Sequence, residues 1–408
     1  MLFHSPRVIF YSHDTFGLGH LRRNLAIIEK LLNKHLTTKP LLITGSPLQN
    51  TWPFPEGLEV LPLPPVVKVG EEKYEARNTA VRFEMIKEER ENLIVNAIKK
   101  FNPDLFLVDH APTGMKGELL KAFDYLKKYC PDTTIALGLR DILDNGLAVR
   151  KLWKEQGVYD VLENIYDIIW IYGCKEVYDV FHEYQMPESL KPKIQYTGYV
   201  VRTDHMPLKS SVVQRESSPI KDTPFKILVT AGGGEDGFFI FDSFLKVIKK
   251  MEDENIFCTL VLGPLMSAQN RIKLEEEAVR LDMKHVQFLS STTELTELIE
   301  KNNLIIAMGG YNTTAEILVS GKPAILIPRA KPREEQRIRT RIFGQMGLVW
   351  DIQPEEPIEM RLQEIIKAAL EGKKPSRKGS VPLNVNGAQW VAREIKGVLR
   401  NKTNLIPV

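Results

Sequence analysis

The sequence predicts an α/β protein made of two doubly wound, Rossmann-like domains. Three observations carry this. Short apolar runs alternate with helix-like stretches along most of the chain, the pattern of βαβ units and parallel sheets. A stretch rich in Ser, Pro and charge, TDHMPLKSSVVQRESSPIKDTP after Arg202, interrupts the alternation. And 408 residues are too many for one ordinary core and about right for two domains.

In the first half, strands are expected at Val8–Ser12, Pro40–Thr44, Leu105–Asp109, Thr134–Gly138, Ile168–Tyr172 and Ile194–Tyr196. After the interruption they are expected at Lys226–Ala231, Cys258–Gly263, Val286–Leu289, Leu304–Met308 and Pro323–Ile327. These readings divide the chain into an amino-terminal domain, 1–203, a linker, 204–224, and a carboxyl-terminal domain, 225–385. Near the end, Asn386–Leu399 reads as an amphipathic helix with Trp390, Val391, Ile395 and Val398 on one side. The Pro-rich segment Gln49–Val81 reads as a long loop, and loops of that length are often functional. Two such domains facing each other are expected to leave a cleft at the carboxyl ends of their strands, where open α/β sheets bind ligands. The informative residues therefore fall just after strands.

Bulk properties narrow the function. Apolar residues at 43% and charged residues at 26% are a globular balance. A net charge of +3 is too near neutrality for a protein that lives on nucleic acid. No apolar run reaches the ~18 residues of a membrane span, which leaves room only for peripheral membrane contact. The start, MLFHSPRVIFYSHD, lacks the pattern of a signal peptide. Cys130, Cys174 and Cys258 lie far apart with no metal-like spacing, as expected in a reducing cytoplasm. A cytoplasmic location is the expectation.

Four stations follow strands. The first is Ser12-His13-Asp14-Thr15-Phe16-Gly17-Leu18-Gly19-His20-Leu21-Arg22-Arg23. Gly17 and Gly19 permit a tight turn and close backbone approach to a ligand. His20 falls at a helix start, where the dipole disfavours imidazolium, and a neutral imidazole is what a general base requires. The alternative is a histidine that merely caps or packs.

The second station is Ala231-Gly232-Gly233-Gly234-Glu235-Asp236-Gly237. Backbone N–H groups at the next helix start suit a diphosphate, with Gly233 and Gly234 as the close-approach residues. Glu235 and Asp236 are unhelpful to an anion unless they point away.

The third is the most specific: Gly309-Gly310-Tyr311-Asn312-Thr313-Thr314-Ala315-Glu316, then Gly321-Lys322-Pro323. Gly309 and Gly310 form a turn, and Asn312, Thr313 and Thr314 begin a helix able to meet phosphate. Glu316 is one turn in, where a carboxylate can accept from both hydroxyls of a ribose. Thr313 and Glu316 also have the spacing of a capping box, and spacing alone leaves both accounts standing.

The fourth is Pro328–Arg341. Seven Lys or Arg lie between Lys322 and Arg341, against two Glu. Many will be a solvated helix face. Arg329 and Arg333, nearest the strand end, are candidates for facing a ligand. Gln336 has the donors and acceptor needed to hold a sugar hydroxyl. Two further strand ends, Asp109-His110 and Arg140-Asp141, are candidates for the acceptor side, although strand-end Asp is often only a turn former. No D-x-D pair suggests a phosphate-bound divalent metal, so neither a metal nor another cofactor is expected.

Together these stations resemble the GT-B glycosyltransferases, and within them family 28, to which the peptidoglycan N-acetylglucosaminyltransferases belong. Gly309–Gly347 is similar to that family's nucleotide-sugar signature: glycines, a helix carrying a Glu, Gly-x-Pro, a buried strand, a Pro and a Gln-bearing helix. The resemblance implies that Glu316 binds the ribose and Gln336 the donor sugar, and that Gly17-Leu18-Gly19-His20 is the amino-terminal glycine-rich loop. Thr44–Pro47, Arg140–Asp144 and Pro332–Gln336 look closer to a branch of predicted glycosyltransferases. The implied activity is inverting, metal-independent transfer of a hexosyl unit from a nucleotide-diphosphate sugar. The acceptor would be a glycan, a lipid-linked sugar or a small molecule. Gly-x-Gly-His-x-x-Arg also resembles nucleotide-sugar hydrolases of pseudaminic acid synthesis, which share the fold, so hydrolysis is the alternative. A non-enzymatic sugar-nucleotide-binding protein is a second one. The second station is more acidic than a phosphate loop should be, which leaves the donor's base and sugar open.

Overall fold

The computed structural model describes residues 5–13, 19–32, 38–46, 53–70, 73–76, 82–202, 224–251, 255–329, 331, 333–377 and 383–403. By proximity along the backbone the chain forms two units, Met1–Arg202 with Leu383–Val408, and Thr203–Pro382.

The first unit runs β1 (Arg7–Ser12), α1 (Gly19–Leu32), β2 (Lys39–Thr44), β3 (Glu59–Pro62), β4 (Val66–Gly70), β5 (Lys73–Ala76), α2 (Phe83–Phe101) and β6 (Leu105–Asp109). It continues with α3 (Leu120–Tyr129), β7 (Thr134–Arg140), α4 (Gly146–Glu155), α5 (Val158–Asn164), β8 (Ile168–Tyr172), α6 (Val180–Glu183) and β9 (Ile194–Tyr196). Seven strands form one sheet in the order β3-β2-β1-β6-β7-β8-β9, every pairing parallel. Val8, Ile9, Phe10 and Tyr11 of β1 are all fully buried, as are Phe106, Leu107 and Val108 of β6. Central strands of a parallel sheet are covered on both faces, which is why they read as unbroken apolar runs.

The second unit runs β10 (Phe225–Thr230), α7 (Phe238–Met251), β11 (Ile256–Val261), α8 (Ala268–Arg280), β12 (Val286–Leu289), α9 (Leu295–Lys301), β13 (Leu304–Ala307) and α10 (Tyr311–Ser320). Then come β14 (Ala324–Leu326), α11 (Glu335–Gln345), β15 (Trp350–Asp351) and α12 (Ile358–Leu370). Its sheet has the order β12-β11-β10-β13-β14-β15, again all parallel. The core is aliphatic and aromatic: Ile227 and Val229 of β10, Phe241 and Phe244 of α7, Ile306 of β13, Ile325 of β14 and Ile366 of α12. The fold class is the one the sequence predicts.

The last helix, α13 (Gly387–Thr403), lies against α1 in the first unit. Val391, Ala392, Ile395 and Leu399 form its buried face, while Trp390 meets Trp170 of β8 edge-on with ring centroids 6.4 Å apart. Its approach is fixed by backbone bonds from Tyr199 N–H to the Asn384 carbonyl (2.7 Å) and from Gly387 N–H to the Tyr199 carbonyl (3.0 Å).

One expectation is corrected. The described part of Gln49–Val81 is not a plain loop: β3 extends the sheet beside β2, and β4 and β5 pair antiparallel. Val66 and Ala76 of this ribbon, with Ile86 and Met115, make a small apolar cluster of their own. The prolines around β3 and its half-exposed edge position hid the strands, since an edge strand tolerates Pro and need not alternate cleanly. The two-residue β15 is a strand the sequence analysis missed. Apart from Pro224, the linker expected at 204–224 lies outside the described residues.

Candidate active site

Each sheet has one place where the chain reverses its direction of winding. From β1 the chain goes outward to β2 and β3, then returns to the other side of β1 as β6. From β10 it goes out to β11 and β12, then returns as β13. At such switch points the crossovers on either side diverge and open a crevice beyond the carboxyl ends of the two strands. His13, His20, Asp109 and His110 lie at the first, and Ala231–Gly237 with Gly309–Glu316 lie at the second.

At the first switch point, Asp109 ends β6 and is fully buried, yet it is an ion. His20 Nδ1 is 2.5 Å from its Oδ2. Arg23, one turn along α1 from His20 and itself buried, donates to the same oxygen from NH2 at 2.9 Å and to Oδ1 from Nε at 3.3 Å. Burial alone would push the Asp109 carboxyl up, but Arg23 and then His20 outweigh it and hold it below the usual carboxylate range. An ionised carboxylate can only accept, so His20 Nδ1 carries the hydrogen between them. In the neutral ring Nε2 is then the nitrogen that takes up a proton. Arg23 NH2 also lies 2.8 Å from His20 Nδ1. Arg23, His20 and Asp109 thus form one three-way cluster. His20 is 16% exposed, so this imidazole is reachable while its carboxylate is not.

Two more imidazoles stand close by. Ring centroids are 4.9 Å apart for His20 and His110, 5.8 Å for His13 and His20, and 6.0 Å for His13 and His110. His110 has φ of 72°, a left-handed conformation that is uncommon and costly for a residue with a Cβ. Behind His13 lies a buried network. Tyr11 Oη donates to Glu118 Oε1 at 2.5 Å, and Glu118 is bridged by Arg90 through Nε (2.6 Å) and NH2 (2.8 Å). Arg90 and Glu118 are both 0% exposed. Arg90 also donates from NH1 to the Pro64 carbonyl, 2.8 Å away, between β3 and β4.

Arg140 and Asp141 end β7, the next strand over. Asp141 is buried and its Oδ1 accepts from the Ile142 N–H at 2.7 Å, the local turn contact expected of a strand-end Asp. Gly19 is the first residue of α1. Gly17 lies outside the described residues.

At the second switch point, Gly310 is the N-cap of α10, with no side-chain cap. Thr313 is therefore inside the helix, and the capping-box account of Thr313 and Glu316 does not hold. Thr313, Thr314 and Glu316 are buried, Glu316 at 3% exposure, and Asn312 is half-buried. Gly309 is where α11 comes closest: a Cβ there would sit 2.5 Å from Thr340 Cγ2 and 3.0 Å from the Gln336 carbonyl oxygen. Arg339, buried in α11, donates to the Gly309 carbonyl at 2.8 Å. Gln336 is buried beside this turn, and its Oε1 accepts from the Arg329 N–H at 3.3 Å.

The glycine loop after β10 has Gly233 exposed and Gly234 buried at φ 92°, where a Cβ would meet the Leu262 carbonyl oxygen at 2.2 Å. Only glycine fits there. The acidic residues of this loop have an explanation in Arg329. Its NH1 binds Asp236 Oδ2 at 2.8 Å and its NH2 binds Glu335 Oε1 at 2.6 Å. Arg329 thus ties the glycine loop to the start of α11, with its charge matched by two carboxylates. Burial and then the Asp236 charge push the Glu235 carboxyl up. Arg333 is half-buried just before α11.

Of the residues singled out from sequence, the first switch point brings His20 and Asp109 into contact. The second gathers Gly233, Gly234, Gly310, Asn312, Thr313, Thr314, Glu316, Arg329, Arg333 and Gln336. His13, Tyr11, Glu118 and Arg90 were given no role from sequence. Arg23 was read only as the last residue of the Gly-x-Gly-His-x-x-Arg motif, although, three residues after His20, it lies on the same helix face.

Known proteins add the family context. Residues 227–385 match the glycosyltransferase family 28 C-terminal domain. The fold is of the GT-B type, and the family 28 match lies within the second unit. It is 24% identical over 262 residues to the UDP-N-acetylglucosamine–N-acetylmuramyl-(pentapeptide) pyrophosphoryl-undecaprenol N-acetylglucosamine transferase of Alkaliphilus oremlandii, covering 62% of this chain and 69% of that one. Matched stretches of curated relatives with this description span from 36% to 69% of their length. Among solved structures, Acinetobacter baumannii MurG is similar with a TM-score of 0.55 at 10% identity, over 98% of this chain and 99% of that one. The UDP-GlcNAc 2-epimerase of Neisseria meningitidis is similar with a TM-score of 0.59 at 14% identity, over 97% and 99%. At these identities the structural likenesses establish the fold alone.

Proposed function

We propose that this GT-B protein is an inverting glycosyltransferase that moves a hexosyl unit from a nucleotide-diphosphate sugar to an acceptor hydroxyl without a metal ion. The observation that carries the reading is the His20 Nδ1–Asp109 Oδ2 contact at the first switch point, in a chain whose other unit matches the family 28 domain.

His20 Nε2 takes the proton of the acceptor hydroxyl. The acceptor oxygen bonds to the anomeric carbon as that carbon's bond to the diphosphate oxygen breaks. Attack comes from the face opposite the leaving group, so the configuration inverts. Asp109 keeps His20 in the competent tautomer and stabilises the imidazolium, the role a buried carboxylate plays behind a catalytic histidine. The electron pair leaves with the nucleoside diphosphate, whose charge is met by the N–H groups at the start of α10 and by Arg333. Arg329 joins in to the extent that the diphosphate replaces Asp236 as its partner. Glu316 accepts from the ribose hydroxyls and Gln336 from the donor sugar. The descriptions of the relatives make UDP-N-acetylglucosamine the first donor to try and a lipid-linked sugar the first acceptor.

The test is nucleoside diphosphate release from candidate donors, alone and with a cell extract as acceptor source. Slow release from donor alone and a sharp rise with extract is expected, unaffected by excess EDTA. His20→Ala is expected to lower kcat about a hundredfold or more at nearly unchanged donor Kd. Fast release from donor alone, with free sugar as product and no stimulation by extract, makes the protein a hydrolase. Donor binding with no release under any condition makes it a binding protein.

A further inference from the structure

Arg329 lies on the connection between β14 and α11, and its guanidinium holds two carboxylates of unlike standing. Glu335 belongs to α11, is 6% exposed at its side chain and is bound through NH2 at 2.6 Å. Asp236 comes from the glycine loop after β10, is 37% exposed and is bound through NH1 at 2.8 Å. One anion is enough to neutralise a largely buried guanidinium, and Glu335, fixed in the fold, is that anion. Asp236 is surplus to the charge balance. A pair with an exposed partner is worth little to stability. Giving it up requires no change of backbone. Asp236 sits in a turn closed by bonds from Gly234 N–H to the Ala231 carbonyl and from Gly237 N–H to the Gly234 carbonyl, each 3.3 Å. Rotation of the Asp236 side chain alone releases Arg329.

The surroundings are short of partners. Thr314 Oγ1, Arg329 Nε and Glu335 Oε2 are buried with no hydrogen bond among the described residues. Buried polar groups are ordinarily bonded. The three belong to one neighbourhood. Gly309, just before α10, packs against Gln336, the residue after Glu335, and Gly232 of the glycine loop faces Thr313, whose Oγ1 is 3.8 Å from where a Cβ on Gly232 would be. An anion at the N–H groups of α10 therefore shares this neighbourhood with an arginine that has one donor, Nε, without a partner and another, NH1, occupied by Asp236.

We propose that Asp236 is a specificity-determining residue of the second switch point: an internal anion that occupies Arg329 in the ligand-free protein and that a ligand diphosphate must displace. Glu335 stays on Arg329 throughout as its fixed counter-ion. A diphosphate takes over NH1, and the Asp236 side chain turns to solvent. When the nucleoside diphosphate leaves, Asp236 closes on Arg329 again. The acidic glycine loop thus weakens the hold on every phosphate ligand, and only an anion able to replace a carboxylate gains anything from Arg329. No covalent step is added. This rests on the reading of the α10 start as a diphosphate site.

The experiment is calorimetry on the full chain in EDTA, with UDP first and then ADP, CDP, GDP and dTDP as probes. Asp236→Asn keeps the size of the side chain and one acceptor oxygen but removes the charge. It is expected to tighten binding of the nucleoside diphosphate by about fivefold or more, the worth of an exposed ion pair. Glu235→Gln removes the neighbouring charge, which has no ion pair with Arg329 among the described residues, and is expected to change affinity much less. Arg329→Gln is expected to loosen binding more in the Asp236→Asn background than in the parent, because competitors for one group are not additive. Thermal melts show that each variant is folded. If Arg329→Gln is not, Arg329→Lys, which keeps the charge but lacks the fork, takes its place in the same cycle. Unchanged or weaker binding in folded Asp236→Asn overturns the proposal. So does an equal gain in Glu235→Gln, or a gain from Asp236→Asn that is the same with and without Arg329, since either makes the effect plain repulsion by the loop. If no nucleoside diphosphate binds to the parent or to Asp236→Asn, the nucleotide-sugar reading fails and this proposal with it. Binding without the gain sinks this proposal alone.

Discussion

Asp109 has two partners at once, His20 and Arg23, so neutralising it tests two things. In Asp109→Asn the amide no longer dictates which nitrogen of His20 carries the hydrogen, and Arg23 is left as a buried charge without its counter-ion. Breaking a buried pair from one side costs about 3–5 kcal/mol. We predict that urea unfolding at pH 7 shows a loss of that order. The pH dependence has a definite sign. The folded-state pKa of Asp109 is lowered, so its stabilising contribution is full above the unfolded carboxylate value of about 4 and is lost as pH falls through the folded value. The asparagine variant should therefore lose less stability than the parent between pH 5 and pH 3. Equal losses in both would show that Asp109 is not paired as described. A second residue tests the other unit. Glu316 sits inside α10 rather than capping it, so Glu316→Gln should weaken nucleotide-sugar binding by roughly 1.5–3 kcal/mol, the worth of a charged hydrogen bond. Calorimetry with the donor and a melting curve decide it. Unchanged affinity with a melt lowered by several degrees would make Glu316 a structural residue.

Among the elements, the turn between β13 and α10 distinguishes two adjacent glycines. A methyl group on Gly310 meets nothing within 4 Å, whereas one on Gly309 strikes Thr340 Cγ2 and the Gln336 backbone of α11. Overpacking of this kind costs typically 1–3 kcal/mol. We predict that Gly309→Ala lowers stability by that amount and Gly310→Ala does not, as read by chemical denaturation. Similar stabilities for the two would mean that α11 is not seated on the turn. The sheets were legible in the sequence because central parallel strands are apolar on both faces. Val8–Ser12 and Leu105–Asp109 announce themselves, while the half-exposed β3 and the two-residue β15 do not. His20 and Asp109 were legible singly, as polar residues at strand ends. Their partnership, across 89 residues, was not, because it depends on β1 and β6 being neighbours. The Arg90–Glu118–Tyr11 chain has no local signature at all. Its members come from a helix, a loop and a strand whose meeting only the tertiary structure specifies. Arg329 is the opposite case: it was legible as a basic residue near a ligand loop, while its two acidic partners, Asp236 and Glu335, were not.

For the molecule as a whole, the three cysteines are free and differ in accessibility. Burial pushes the Cys174 thiol up to about 11 and the Cys258 thiol up to about 12, while Cys130 is half-buried. The thiolate is the reactive form. We predict that Ellman's reagent at pH 8 titrates one thiol promptly in the native protein and all three in denaturant. Prompt reaction of two or three in native buffer would contradict the packing of β8 or β11 against their helices. No helix among the described residues is long and apolar enough to cross a membrane.

The seating of α13 on α1 has a consequence for how the molecule is made. Everything in Thr203–Pro382 is contiguous, so that unit has all its strands and helices as soon as its own residues leave the ribosome. The other unit starts first and finishes last. Its seven-stranded sheet is translated early, but the strip of α1 on which α13 lies is covered only when that helix, with Val391, Ile395 and Leu399, arrives more than 350 residues after α1. During synthesis at about 5–20 residues per second that strip is left uncovered for roughly ten seconds or more, the kind of transiently exposed surface on which chaperones act.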